Sequence, residues 1–253
     1  MQKKLSIMSG HNRWTQIKRK KAVLDSKRGK FFTKILKEIT VATKEGGADP
    51  EGNARLRIAI QNAKGLNCPK DNIERAIKKG IGNDGENYVE TTYEGYGPGG
   101  VAIFVEGATD NTFRTVQDVR AAFNKYDGSL GTNGSLEFIF QRKGVFTLPV
   151  GSLDEESFTL EMIDAGAEDV EFADGYATVT CAKEDFGKLQ KALERMKVTP
   201  ENAELQRIPN TMVKLDDEQL KRVMKLIEVL EDNDDVQKVY HNLELTESQM
   251  DMV

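Results

Sequence analysis

Residues 144–208 read GVFTLPVGSLDEESFTLEMIDAGAEDVEFADGYATVTCAKEDFGKLQKALERMKVTPENAELQRI, and the hydrophobic period along them keeps switching. Gly144 to Pro149, Asp169 to Ala173, Tyr176 to Cys181 and Ala203 to Ile208 are short runs rich in β-branched and aromatic residues bounded by turn formers, which predicts strands. Asp154 to Ala165 and Lys183 to Met196 carry their apolar residues at helical spacing. The order is βαββαβ. That is the split βαβ arrangement of ferredoxin-like domains, in which two helices cover one face of an antiparallel sheet, and the segment is long enough to fold by itself.

Outward from this unit the alternation continues. Upstream, Tyr88 to Glu94 and Gly100 to Glu106 predict strands on either side of a glycine-rich turn, Gly95 to Gly100. Thr112 to Tyr126 predicts a helix with Val116, Val119, Ala122 and Phe123 as its core stripe, and Leu136 to Gln141 returns to strand. Downstream, strand Thr211 to Lys214, helix Asp216 to Glu231 and strand Val236 to His241 are too few to bury a core alone. They are expected to pair with the upstream ββαβ segment. The result is a discontinuous α+β domain, 81–142 plus 209–253, with the α+β domain 143–208 inserted in it. Thr246 to Val253 is expected to fray.

From Asn12 to Gly80 the pattern is helical, interrupted at Gly46 to Pro50 and Gly65 to Pro69, and predicts four helices in a first domain of residues 1–80. In the second, Phe31, Phe32, Ile35, Leu36 and Ile39 share one side at about 100° per residue, with Lys30, Lys34, Lys37 and Lys44 opposite. In the fourth, Pro69 suits the first turn, Asp71 and Glu74 the positive end, and Lys78 and Lys79 the negative end; Ile73, Ala76 and Ile77 would face inward. The fold class is therefore α+β and multidomain: a helical N-terminal domain followed by two domains of ferredoxin-like type, one inserted in the other.

Composition narrows the function. The chain has 253 residues, 38% hydrophobic and 30% charged, which suits a globular protein with more than one core. No run approaches the about 18 apolar residues of a membrane helix, and Met1 to Ile7 lacks the apolar stretch of a secretory signal, so a cytoplasmic protein without a membrane partner is expected. Cys68 and Cys181 lie far apart with no CxxC spacing, which suggests neither a disulfide framework nor a zinc ribbon. With His11 and His241 the only imidazoles, no metal site is expected. There is no GxSxG elbow, no HExxH and no Walker lysine. The reading is of a protein that is not an enzyme and takes no cofactor. Gly80 to Gly85 spells GxGxxG, but it follows a helix and precedes a strand, the reverse of a dinucleotide pocket, so it is read as a linker. The turn Gly95 to Gly100 is read as serving a tight connection between strands more than binding.

The net charge of −5 conceals a segregation. Residues 1–80 hold 20 Lys and Arg against 7 Asp and Glu, a net +13; the remainder holds 16 against 34, a net −18. Cations accumulate through Lys18, Arg19, Lys20 and Lys21, then Lys27, Arg28 and Lys30, with only Asp25 offsetting them, and continue through Lys34 and Lys37. A binder of nucleic acid needs such clustering, since each phosphate neutralised releases condensed counterions. These nine residues are the candidate phosphate contacts, and His11, Arg13 and Trp14 are candidates for base contacts. Trp14 also shares a helical side with Ile17 and Leu24, which favours reading it as a core anchor. The surplus extends through Arg55, Arg57, Lys64, Arg75, Lys78 and Lys79. The acidic remainder is expected to meet a protein partner or a second copy rather than phosphate.

Four stretches carry a resemblance: Ser9 to Trp14, Lys27 to Lys30 with Phe32-Thr33-Lys34, Pro69 to Ile77, and Tyr93 to Ala102. On these the chain closely resembles the YebC/PmpR family, which has mitochondrial members acting as translational activators. The resemblance runs nearly end to end. It implies three domains, the first helical and the other two α+β. Members typically begin at the methionine matching Met8, so Met1 to Ile7 looks like an extension. Two functions are implied: many members are described as DNA-binding transcriptional regulators, and others look like ribosome-associated factors. Both use nucleic acid, and phosphate contacts alone do not separate duplex DNA from folded RNA.

Overall fold

A computed structural model of the protein describes residues 25–82 and 88–250. The helical part comprises α1 (Asp25–Gly46), α2 (Ala54–Gly65) and α3 (Lys70–Ile81). The first of the four expected helices lies outside the described residues. By its internal contacts the chain divides into two compact units. One takes residues up to Lys34 with Glu86–Gln141 and Ile208–Val253, and the other takes Ile35–Gly85 with Arg142–Arg207.

In the first unit, β1 (Val89–Tyr96), β2 (Ala102–Thr109), α4 (Thr112–Lys125) and β3 (Ser129–Leu130) are followed, after the other unit's strands, by β8 (Val213–Lys214), α7 (Asp217–Asp232), β9 (Val236–His241), β10 (Leu243–Glu244) and α8 (Glu247–Met250). The sheet order is β3-β1-β2-β9, with Tyr93 opposite Val105 and Val105 opposite Val239 in antiparallel register. Because side chains alternate along a strand, β2 divides cleanly. Ile103 and Val105 join Val119 and Phe123 of α4 and Val223, Leu226, Ile227 and Leu230 of α7. Ala102 and Phe104 join Leu136, Ile139, Phe140 and Tyr240 on the opposite face. β2 is thus buried on both faces, and each such large side chain contributes about 1.5–3 kcal/mol. Both helices start on side-chain caps: Asn111 accepts from the Arg114 N–H at 3.0 Å and Asp216 from the Gln219 N–H at 2.8 Å.

The turn between β1 and β2 is built by glycine. Gly99 and Gly100 have φ of +67° and +77°, and a Cβ on Gly99 would run into the Leu215 side chain. The two glycines therefore let the turn close over its own core.

The second unit holds β4 (Phe140–Pro149), α5 (Glu155–Asp164), β5 (Ala167–Ala173), β6 (Tyr176–Ala182), α6 (Phe186–Arg195) and β7 (Asn202–Pro209). The sheet order β5-β6-β4-β7 places the four strands as second, third, first and fourth, the ferredoxin-like order. Its core gathers Phe146, Leu148, Phe158, Met162, Val179, Leu189 and Leu193, with the Phe146 and Phe186 rings stacked at 4.5 Å. Helix α2 belongs to the same unit. The Asn62 side chain accepts from the Ala203 N–H and donates to the Ala203 carbonyl, both at 3.0 Å, so one amide mimics a strand neighbour along β7.

One expected element is different. Leu136 to Gln141 is not a strand of its own: 133–139 is a turn, and Phe140 begins β4, which runs on to Pro149. Leu136, Ile139 and Phe140 stand at i, i+3 and i+4, a spacing that suits a coiled turn on the sheet face better than alternation. The buried Glu94 carboxylate fixes the turn, accepting from the N–H groups of Gly134 at 2.7 Å and Leu136 at 2.6 Å.

Replacing Glu94 by Ala leaves those donors without the carboxylate, the Leu136 one fully buried, so Glu94→Ala is expected to cost about 1–3 kcal/mol or more. Urea denaturation checks this. Glu94→Gln, which keeps an acceptor, should lose less.

Candidate nucleic-acid interface

His11, Arg13, Trp14, Lys18, Arg19, Lys20 and Lys21 lie outside the described residues. Lys27 and Arg28 fall within α1, their side chains outside the described set. Lys30, Lys34 and Lys37 are fully described, and the structure treats them differently from one another.

The expected division of α1 into an apolar and a cationic side holds only in part. Ile39 is buried, but Phe31 is 42% exposed and Phe32, Ile35 and Leu36 are half-buried. Lys37, expected on the outside, is only 9% exposed and is not presented to a polyanion. The reason is that α1 is enclosed all round toward its C-terminal part, where Ile39, Thr40, Val41, Ala42 and Thr43 are buried in succession. Gly29, Lys30, Phe31 and Thr33, nearer its start, are exposed instead.

Lys30 and Lys34 stand one helical turn apart and both reach the C-terminal turn of α7. The Lys30 ammonium pairs with Asp232 at 2.8 Å, the two side chains 47% and 53% exposed. Lys34 Nζ donates to the Glu231 carbonyl oxygen at 2.7 Å. The hydrogen bond that Lys30 donates to Asp232 holds the Lys30 pKa above its usual value, and the charges of Asp232, Asp234 and Glu228 add to it. Cations at a helix C-terminus satisfy carbonyls that have no intrahelical donor.

Part of the wider basic surplus is also structural. Arg55 bridges Glu38 at 2.9 Å and Glu45 at 2.5 Å, which ties α2 to α1. Arg57 donates to the Pro50 carbonyl oxygen at 3.1 Å. Helix α3 is the exception. Ile73 and Ala76 are buried and Ile77 is half-buried, as the periodicity predicts, while Arg75, Lys78 and Lys79 are exposed on the outer side. Among the described residues Arg75 and Lys78 have no ion-pair partner. Their backbone is held firmly: Thr40 donates to the Ala76 carbonyl oxygen at 3.3 Å, and a Cβ on Gly80 would lie 2.6 Å from Thr43 Cβ and 2.7 Å from the Thr40 carbonyl oxygen. Gly80 therefore permits the close α1–α3 contact that presents these cations on a fixed surface. Arg75 and Lys78 belong to the surplus noted from the sequence but not to its twelve named contacts. The signal that singles them out is their i, i+3 spacing opposite Ile73 and Ala76.

Gly82 ends α3, so the GxGxxG spelling begins at the negative pole of a helix, where a phosphate is repelled. Both cysteines are buried free thiols. Burial pushes the Cys181 thiol up to about 11, with Asp185 and Glu168 adding to it, so it is protonated at neutral pH and a poor nucleophile. Among the described residues no group of His, Cys, Asp and Glu is arranged to hold a metal ion, and no helix is long and apolar enough to cross a membrane.

Residues 12–83 match the family described as the TACO1/YebC protein N-terminal domain, and residues 88–243 match the TACO1/YebC second and third domain. A relative from Geotalea uraniireducens is 53% identical over 245 residues, 96% of this chain and 99% of its own length; its name is "Probable transcriptional regulatory protein". One from Amoebophilus asiaticus with the same name is 52% identical over 93% of this chain and 98% of its own. A crystal structure of a conserved hypothetical protein from Aquifex aeolicus superposes with a TM-score of 0.81 at 42% identity, covering 89% of this chain and 93% of that one.

Gly80→Ala should force α3 away from α1 at a cost of about 1–3 kcal/mol. Thermal denaturation reads the loss, and an unchanged midpoint would show that the helices pack without this contact.

Proposed function

Because the chain belongs to the TACO1/YebC family, we propose that it is a non-enzymatic regulator of gene expression that acts by binding nucleic acid, and specifically a DNA-binding transcriptional regulator of the cytoplasm. One observation carries the reading: a net +13 on residues 1–80 joined to a net −18 on the rest. A surface that only needs solvation mixes its signs. Segregation on this scale fits a head that displaces counterions from a polyphosphate, borne on a body that a polyphosphate repels.

Lys18, Arg19, Lys20, Lys21, Lys27 and Arg28 form the phosphate grip, with His11, Arg13 and Trp14 available for base edges or stacking. On the other unit, the fixed outer side of α3 offers Arg75 and Lys78 as further candidate phosphate contacts. Lys30 and Lys34 enter it only on leaving α7, and Lys37 is structural. The names of the relatives favour transcription as the level of control. The acidic domains then face a protein neighbour or a second copy.

Equilibrium binding to duplex DNA, measured from low to physiological salt, tests the reading. If about six phosphates are neutralised, log affinity falls against log salt with a slope near −5, and Arg75→Gln with Lys78→Gln lowers the slope by about 2. A flat salt dependence defeats the phosphate grip. Binding confined to ribosomes in sedimentation, abolished by charge reversal at Lys27 and Arg28, would move the proposal from transcription to translation.

A further inference from the structure

Within the first unit, the start of α1 meets the end of α7 with opposite charge. Lys30 and Lys34 belong to the run of cations assigned to phosphate, yet they rest on Asp232 and on the Glu231 carbonyl oxygen. A phosphate that takes either lysine has to compete with an acceptor already in place.

The end of α7 is an anionic pole assembled from several sources. Its last turn has no basic residue. Glu228, Glu231 and Asp232 accumulate where the helix dipole is already negative, and Asp234 follows directly. Like charge at that position is unfavourable without a cation from elsewhere. Of these acids, Glu228 also pairs with Lys225 at 2.8 Å, and Asp232 and Asp234 both act on Lys30. A carboxylate beside a backbone carbonyl oxygen, met by two lysines one helical turn apart, offers oxygen acceptors of the kind a nucleic-acid strand presents to lysine. The pair is also about half exposed on each side, so water and salt weaken it. A pair this exposed is weak enough to be exchanged.

We propose that the C-terminal turn of α7 is an internal phosphate mimic that competes with nucleic acid for Lys30 and Lys34, so that binding proceeds by exchanging this contact for backbone phosphates. The inference rests on the nucleic-acid reading above and concerns its regulation. Whatever neutralises or covers Asp232 and Asp234 raises affinity; whatever strengthens the pole lowers it.

The experiment compares three full-length proteins by fluorescence anisotropy with a labelled DNA duplex and a labelled RNA hairpin over a salt series. They are the wild type, Asp232→Asn with Asp234→Asn, and a control that removes the same charge from α5, Glu161→Gln with Asp164→Asn. Removing carboxylates beside a helix C-terminus relieves the dipole, so the first variant is expected to fold. It should bind about threefold tighter or more relative to the control, with a salt slope steeper by up to about 0.9 for each released lysine. The gain should vanish when Lys30→Gln and Lys34→Gln are added. Equal tightening in both charge-neutralised proteins would reduce the effect to net charge and overturn the competition. So would tightening that survives the lysine substitutions. If all three proteins fail to bind either polymer in dilute buffer, the nucleic-acid reading falls, and the competition with it.

Discussion

The first unit depends on a single strand that needs neighbours on both edges and cover on both faces. β2 places Ile103 and Val105 under α4 and α7 and Phe104 under the turn that contains Leu136 and Ile139. Its free edge is closed by β9, more than 130 residues further along the chain, with Ile103 opposite His241. Once that pairing is required, the intervening ferredoxin-like segment has to be an insertion, and the end of α7 has to arrive beside the sheet that β9 completes. The position of the anionic pole that receives Lys30 and Lys34 is thus inherited from the needs of a hydrophobic strand.

Much of this was legible because the signals are local. The period changes through 144–208 yield βαββαβ, and the observed sheet order is the one that motif implies. The caps at Asn111 and Asp216 lie where short polar residues precede apolar stripes. The misreadings come from partners distant in sequence. Leu136 to Gln141 has the composition of a strand, and what makes it a turn is a carboxylate 40 residues upstream. The two sides of α1 follow a correct angular count, but the helix is enclosed on several sides at once, so Lys37 is buried while Phe31 stays in water.

The candidate interface shows the same limit more sharply. A list of cations read from sequence treats Lys30, Lys34, Arg55, Arg57, Arg75 and Lys78 as equivalent charges. In the structure Arg55 ties two helices together, Arg57 caps a loop, Lys30 and Lys34 cap α7, and Arg75 and Lys78 face solvent from a fixed backbone. Composition counts charge, whereas function depends on whether each charge already has a local counterpart. For Lys30 that counterpart lies 202 positions away, beyond the reach of any periodicity. For Arg75 and Lys78 the exposure follows from a local spacing opposite Ile73 and Ala76, although they were not among the twelve contacts named from the sequence.

The union of β2 with β9 also sets an order of events during synthesis. The strands of the second sheet lie between Phe140 and Pro209 and have every partner once β7 has been made. The first sheet waits with β2 unpaired along one edge until His241 has left the ribosome. High sequence separation slows folding and leaves apolar edges open to wrong partners. A truncation that removes only the last two dozen residues would therefore damage the first sheet far more than its length suggests, while the ferredoxin-like insert keeps all of its own strands.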